Sequence, residues 1–403
     1  MAQRLVIIGV GFAGMYAALS AARLRDLDGS STEELEIAMV APEPRLVVRP
    51  RLYEPNPETL TAPLDDVLRA IDVDYVQGTV ETIDTRGRSV EIAGNAGNRR
   101  TLTYDRLVLA TGSRLFRPNV PGLAEHGFSV DQLEEAIALD RHLHDLADRA
   151  ESSARNTVVV VGGGLTGIEV ATEMPARLRG ILGQGAEIRV VLVERGKAIS
   201  PGMGAEPRAV IEMALRDARI ESRIGVGVAA LDATGATLSD GEHIDSATVI
   251  WAAGLRAAPL TAQIPGERDD VGRLLVDRHL RVPDVYGVFA TGDAAKAACD
   301  DLGNYALMSG QHAARLGAFA GHNAAAELLG LPIRPYHQKA YVTCLDLGEA
   351  GALFTRGWDR KVELVGSKAK ALKREINTVW IYPPRAERAA ALSSADPERV
   401  IDL

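Results

Sequence analysis

Cysteine is nearly missing from this chain of 403 residues: Cys299 and Cys344 are the only two, and they stand far apart in sequence. That spacing excludes a CxxC redox pair and a cysteine-built zinc site, and it fits a reducing, intracellular compartment. Long apolar runs are missing too. None reaches the ~18 residues that a membrane-spanning helix requires. Positive charge is not in excess either. The net charge is −9, which leaves no general basic field for nucleic acid. The remaining composition is that of an ordinary soluble globular protein, long enough for two or three domains.

What the chain does have is glycine in a pattern. Leu5 to Ile8 form a short apolar run that leads into Gly9-Val10-Gly11-Phe12-Ala13-Gly14, followed by a helix-compatible segment rich in Ala, Leu and Met. Strand, glycine turn and helix make the first unit of a dinucleotide fold. Gly9 permits the tight turn, Gly11 lets a pyrophosphate approach the backbone, and Gly14 lets helix and strand pack closely. The phosphates would rest on the helix N-terminus, where unpaired N–H groups and the dipole favour anions. A secretory leader would also begin with an apolar run, but the spaced glycines and the lack of a cleavage site argue against it.

The pattern recurs about 150 residues later, a separation suited to two nucleotide-binding domains and too large for a solenoid. Val158 to Val161 run into Gly162-Gly163-Gly164-Leu165-Thr166-Gly167 and a second helix. Each half also has an echo. Leu107 to Leu109 open into Ala110-Thr111-Gly112, and Ala247 to Trp251 into Ala252-Ala253-Gly254. Small residues at a strand's end permit close approach of a ligand or a crossing chain. Further on, Val288-Phe289-Ala290-Thr291-Gly292-Asp293 ends a strand at a carboxylate that could bond a cofactor's hydroxyls. The plainer alternative for Asp293 is a helix N-cap. A helix is expected over residues 309–329.

In this order the motifs resemble the flavoproteins with two dinucleotide-binding domains, the superfamily that includes glutathione reductase. The loop Val48-Arg49-Pro50-Arg51-Leu52-Tyr53-Glu54 and the stretch Trp251 to Ala257 narrow the likeness to type II NADH:quinone oxidoreductases. The resemblance implies an α/β fold of two Rossmann-like domains, with residues 1–113 and 276–330 holding FAD and residues 114–275 holding NAD(P)H. A small C-terminal region, 331–403, follows. By the same resemblance Arg51 and Val80 join the flavin-side set. The residue closing the second strand of the first unit is Ala41, where the family usually has an acid, and Glu43 is the candidate substitute. In the second unit Glu194 takes that place and favours NADH, because a 2′-phosphate would be repelled; Arg195, next to it, keeps NADPH open.

The implied chemistry is hydride transfer from nicotinamide to flavin and then electron delivery to an acceptor, the cofactors supplying the reactive atoms. Disulfide reductases pass electrons through two cysteines beside the flavin. The corresponding segment, residues 46–60, has none, which excludes that branch. Glu169 matches a family glutamate near the flavin–nicotinamide contact; a carboxylate stabilised by its helix dipole is the alternative. Gln311 matches the first glutamine of a quinone-facing helix motif, and Arg315 stands where the family has a second. The alternative is a helix packed on the domain with Gln311 and His312 facing solvent.

Residues 356–374 carry seven basic side chains and two acids, and Ala369, Leu372, Ile376, Val379 and Trp380 recur at helical spacing. Such a helix suits a peripheral membrane contact through residues 356–380, or docking on the protein or on a second copy as a homodimer. The tail after Pro384 is expected to be loosely held. The expected protein is thus cytoplasmic or peripheral on the inner face of the membrane. Its acceptor would be a quinone-like small molecule, with a redox protein, oxygen, or an NADH-sensing role as alternatives.

Overall fold

The computed structural model describes residues 3–94, 97–338 and 340–399. The two apolar runs that precede the glycines form the strands Gln3–Ile8 and Thr157–Val161, and each is the middle strand of a five-stranded parallel sheet. Both runs lack polar alternation because both faces of a parallel sheet are covered. In the first sheet Gln3–Ile8 lies between Leu35–Ala41 and Arg106–Leu109, with Asp74–Gln77 and Val288–Ala290 at the edges. In the second, Thr157–Val161 lies between Arg189–Glu194 and Thr248–Trp251, with Glu221–Ile224 and Gly127–Phe128 outside them. The architecture is α/β with two Rossmann-like sheets of matching strand order.

The first sheet closes with a strand that follows every strand of the second, so the second unit is inserted into the first. The chain crosses between them twice. The crossings pair as an antiparallel ribbon, Ser113–Leu115 against Leu255–Ala257.

The ATG and AAG echoes meet a crossing chain. A Cβ at Gly9 would stand 2.4 Å from the Ala110 carbonyl oxygen, and one at Gly162 would stand 3.0 Å from Ala253 Cα. The glycine turn and the neighbouring strand end press on each other in both halves. Helix Gly310–Leu329 returns across helix Phe12–Asp28 just as closely. At Gly317 and Gly321 an added Cβ would meet the carbonyl oxygens of Ala13 and Ala17 at 2.1 and 2.0 Å.

After these domains comes an antiparallel sheet of Val342–Asp346, Ala352–Arg356 and Lys361–Val365. The amphipathic segment forms helix Gly366–Glu375 and, continuing it, a π-helix, Ile376–Trp380. Ala369 is buried and Leu372 partly buried against Phe354 and Cys344 of that sheet, whereas Val379 is exposed. Among the described residues no helix is long and apolar enough to cross a membrane. As far as Arg399 the tail is held rather than loose, a correction to the reading from composition. Ala391, Leu392 and Ala395 are buried, Arg388 pairs with Asp26 and Asp72, and Asp396 pairs with Arg23. The alanines that looked featureless are small enough to seat this segment on the first helix.

Candidate active site

Two cradles lie at the C-terminal ends of the middle strands. Gly11 and Gly164 have extended backbone, with φ of −65° and −79°, and nothing lies within 4 Å of where a Cβ would stand. Each therefore leaves open space in front of a helix N-terminus whose first N–H groups have no partner within the helix. Behind them Gly14 and Gly167 are packed solid: a Cβ there would lie 1.9 and 1.8 Å from the carbonyl oxygens of Gly9 and Gly162. Around the first cradle Phe12 and Ala13 start the helix, and Gly292 seats beside Ala13. Thr111, flanked by Ala110 and Gly112, and Thr291 have buried hydroxyls with no partner in the protein. Open N–H groups and unpaired hydroxyls around one crevice fit the phosphates and polyol of FAD.

Asp293 stands at the edge of that cradle and is not an N-cap of the long helix; Ser309 takes that role, its hydroxyl oxygen accepting from the His312 N–H. The Ser113 hydroxyl donates to Asp293 Oδ2 at 2.6 Å. Burial raises the Asp293 carboxyl above the ordinary carboxylate value, against the pull of Ser113 and Arg49. Val80 is buried in the apolar cluster that also holds Ile8 and Val40. Glu43, just past the second strand, is ion-paired with Arg45. Arg51 is turned to Glu54, at 2.6 Å, and to Tyr382 Oη, at 2.9 Å.

In the second cradle Leu165 and Thr166 start the helix and Gly254 follows Ala253 with φ +81°. The Glu194 carboxylate closes its strand and accepts from the N–H groups of Gly163, at 2.6 Å, and Gly196, at 2.5 Å. It thus sits beside the glycine turn, where ribose hydroxyls are read in such folds. Arg195 is exposed. Replacing Glu194 by Ala is expected to raise KM for NADH roughly tenfold with little change in kcat, since the lost contact is made equally in ground and transition states. Steady-state kinetics with NADH and NADPH check this, and an unchanged KM would count against the role.

Glu169 and Gln311 both bond the C-terminal sheet, at opposite ends of its first strand. Glu169 Oε1 accepts from the Asp346 N–H at 3.1 Å and from Lys373 Nζ at 2.8 Å, and Lys370 holds Asp346 alongside at 2.6 Å. Gln311 Oε1 accepts from the Val342 N–H at 3.4 Å. His312, read from the sequence only as a solvent-facing alternative, is fully buried against Tyr341 and Trp358. Its ring is held neutral at neutral pH, its pKa lowered to about 4 by burial. Arg315 instead donates to the carbonyl oxygens of His337 and Arg399. Sequence reasoning also missed Arg49, Ser113, Asp131 and Lys373 as site residues. Arg49, Ser113 and Lys373 lay inside or beside noted stretches, Asp131 in none of them, and nothing in those stretches tells which of several arginines or lysines turns inward.

Two dinucleotide cradles, one for a flavin and one for a nicotinamide, define a flavoprotein dehydrogenase. The family described as pyridine nucleotide-disulphide oxidoreductase matches residues 3–317, and the chain belongs to it. A NADH dehydrogenase-like protein of Mycobacterium tuberculosis is 45% identical over 397 residues, 98% of each chain. Demethylphylloquinone reductase NdbB of Synechocystis is 29% identical, with 87% of this chain and 86% of that protein covered. In fold, the structure of NDH2 from Plasmodium falciparum in complex with NADH superposes with a TM-score of 0.77 at 15% identity, covering 98% of this chain and 97% of that one. The chain is an FAD-dependent NAD(P)H oxidoreductase.

Proposed function

We propose that the electrons taken from NADH leave the flavin for a quinone or quinone-like small molecule. One observation supports this above the rest. The two candidate catalytic side chains grip opposite ends of one five-residue strand, Val342–Asp346: Gln311 at the start of the FAD-domain helix and Glu169 at the start of the nicotinamide-domain helix. The nicotinamide end and the acceptor end are thereby tied across roughly 13 Å of extended backbone.

A thiol route has no support. Burial raises both Cys299 and Cys344 to a pKa of about 11, so neither is a thiolate near neutral pH. The names of the relatives point the same way, since they include a demethylphylloquinone reductase and type II NADH:quinone oxidoreductases. NADH is the proposed donor over NADPH because Glu194, at its strand end beside the glycine turn, is the candidate ribose contact. A redox-protein acceptor is the second reading, favoured by Arg315, which stands in place of the second glutamine and is engaged by the carbonyls of His337 and Arg399.

The test is anaerobic bleaching of the flavin by NADH followed by addition of a water-soluble quinone. Rapid bleaching and rapid recovery are expected. Gln311→Ala should slow recovery about tenfold, the loss of one hydrogen bond made in the transition state, and leave bleaching by NADH unaltered. Bleaching without recovery would sink the quinone assignment and turn attention to a protein acceptor or a sensor.

A further inference from the structure

Of the two arginines in the loop that follows the first β-unit, the one of interest for the flavin is Arg49. Arg51 is spent on Glu54 and on Tyr382. Arg49 is engaged on three sides. Its Nε donates to the Asp131 carbonyl oxygen at 3.1 Å, one Nη is ion-paired with the Asp131 carboxylate, and the other donates to Ser113 Oγ at 3.0 Å. The Ser113 hydroxyl in turn donates a hydrogen bond to Asp293 Oδ2. The same guanidinium lies 3.7 Å from Asp293 Oδ2.

Asp131 is itself held, because its second carboxylate oxygen accepts from the Leu115 N–H at 2.9 Å and from the Gln132 amide at 2.7 Å. Ser113 and Leu115 belong to the ribbon by which the chain crosses into the nicotinamide domain. A serine hydroxyl has one proton and can rotate. With Arg49 donating to its oxygen, that proton has one good destination, the Asp293 carboxylate. The planar guanidinium, fixed by two contacts to Asp131, supplies the geometry that a lysine's point charge would not.

We propose that Arg49 is a positioning residue: anchored by Asp131, it aims the Ser113 hydroxyl at Asp293 and so holds that carboxylate in place for the hydroxyls of FAD. This rests on the reading of Asp293 as a flavin contact. It assigns to Arg49 and Ser113 a share in cofactor affinity without requiring either to touch the cofactor.

The experiment is titration of FAD into cofactor-stripped protein, followed by quenching of flavin fluorescence, for the wild type, D293N, R49Q, R49K and S113A. The melting temperature of each stripped protein is recorded beside it. The expected result is a rise in Kd of about tenfold for D293N, with R49Q close to it and S113A somewhat smaller. R49K should recover only part of the loss. In the double variant R49Q/D293N the rise should match that of D293N alone, because Arg49 acts through Asp293. A purely structural role would lower the melting temperature and give additive losses.

If D293N binds FAD weakly while R49Q and S113A stay within twofold of wild type, positioning by Arg49 is refuted and the flavin reading of Asp293 stands. If D293N itself stays within twofold, the reading of Asp293 fails and the inference fails with it. S113A removes only a hydroxyl, so it decides the matter should R49Q not fold.

Discussion

Replacing Gly11 by Val yields a folded, colourless protein. The backbone at Gly11 is extended, so any residue can adopt it, and an added Cβ meets nothing within 4 Å. Folding is therefore spared. The space that the side chain enters is the space in front of the helix N-terminus, where the pyrophosphate of FAD would lie against the backbone N–H groups. Affinity for FAD should fall roughly a hundredfold or more, about 3 kcal/mol, with the melting temperature of the cofactor-free protein close to that of the wild type.

Gly164→Val repeats the experiment in the other cradle, since it too has open space in front of it. That protein should be yellow, and NADH should fail to bleach it. Gly14→Ala gives the opposite outcome, because its methyl group would collide with the Gly9 carbonyl oxygen and destabilise the fold by about 1–3 kcal/mol or more. Absorbance at the flavin band and thermal melts separate the three. A Gly11→Val protein that keeps its flavin would refute the first cradle as the FAD site.

Those glycines mark how far the fold is legible without coordinates. A turn that needs a left-handed or close-packed backbone leaves glycine in the sequence, and an apolar run without alternation marks a strand covered on both faces. Local chemistry of this kind gave the middle strand and glycine turn of each sheet, and the resemblance supplied the two-domain fold. Side-chain direction is another matter. The loop Val48 to Glu54 offers two arginines of equal promise, and which of them turns toward Asp293 depends on Asp131, 82 residues away from Arg49. Lys373 reads as one charge among many on a basic helix, yet the helix face that bears it is pressed against Glu169 from another domain. His312 carries no mark that distinguishes a buried ring from an exposed one. Long-range pairing decides these roles, and a single sequence does not record it.

Lys373→Met should cost more stability than any other single change on the C-terminal helix. The Lys373 and Glu169 side chains are 9% and 11% exposed, and the charged atoms are 2.8 Å apart. Removing the cation leaves a carboxylate buried without its counter-charge, a loss of about 3–5 kcal/mol when one member of such a pair is deleted. Lys370 pairs with Asp346 just as closely, and Asp346 is itself only 9% exposed. Lys370, however, is 29% exposed, so water reaches that pair, and Asp346 keeps the Gly348 N–H; Lys370→Met should therefore cost less, about 2 kcal/mol. Converting Glu169 to Met as well should restore most of what Lys373→Met loses, since a packed apolar pair replaces a buried ionic one at little net cost.

The sign of the pH dependence follows from Glu169. Burial already raises its carboxyl above the ordinary value, and the lysine opposes that rise. Without Lys373 the carboxyl moves higher still. Between the unfolded-state value and this raised value the native state holds more protons than the unfolded state, so stability falls as pH rises through that window. The deficit of Lys373→Met relative to wild type should therefore be largest at neutral pH and shrink on acidification toward the ordinary glutamate value. Urea denaturation at a series of pH values measures this directly. A deficit that is independent of pH would mean that the charge of Glu169 is not what Lys373 balances, and that the helix is held by its other contacts, Ala369, Leu372 and the Lys370–Asp346 pair.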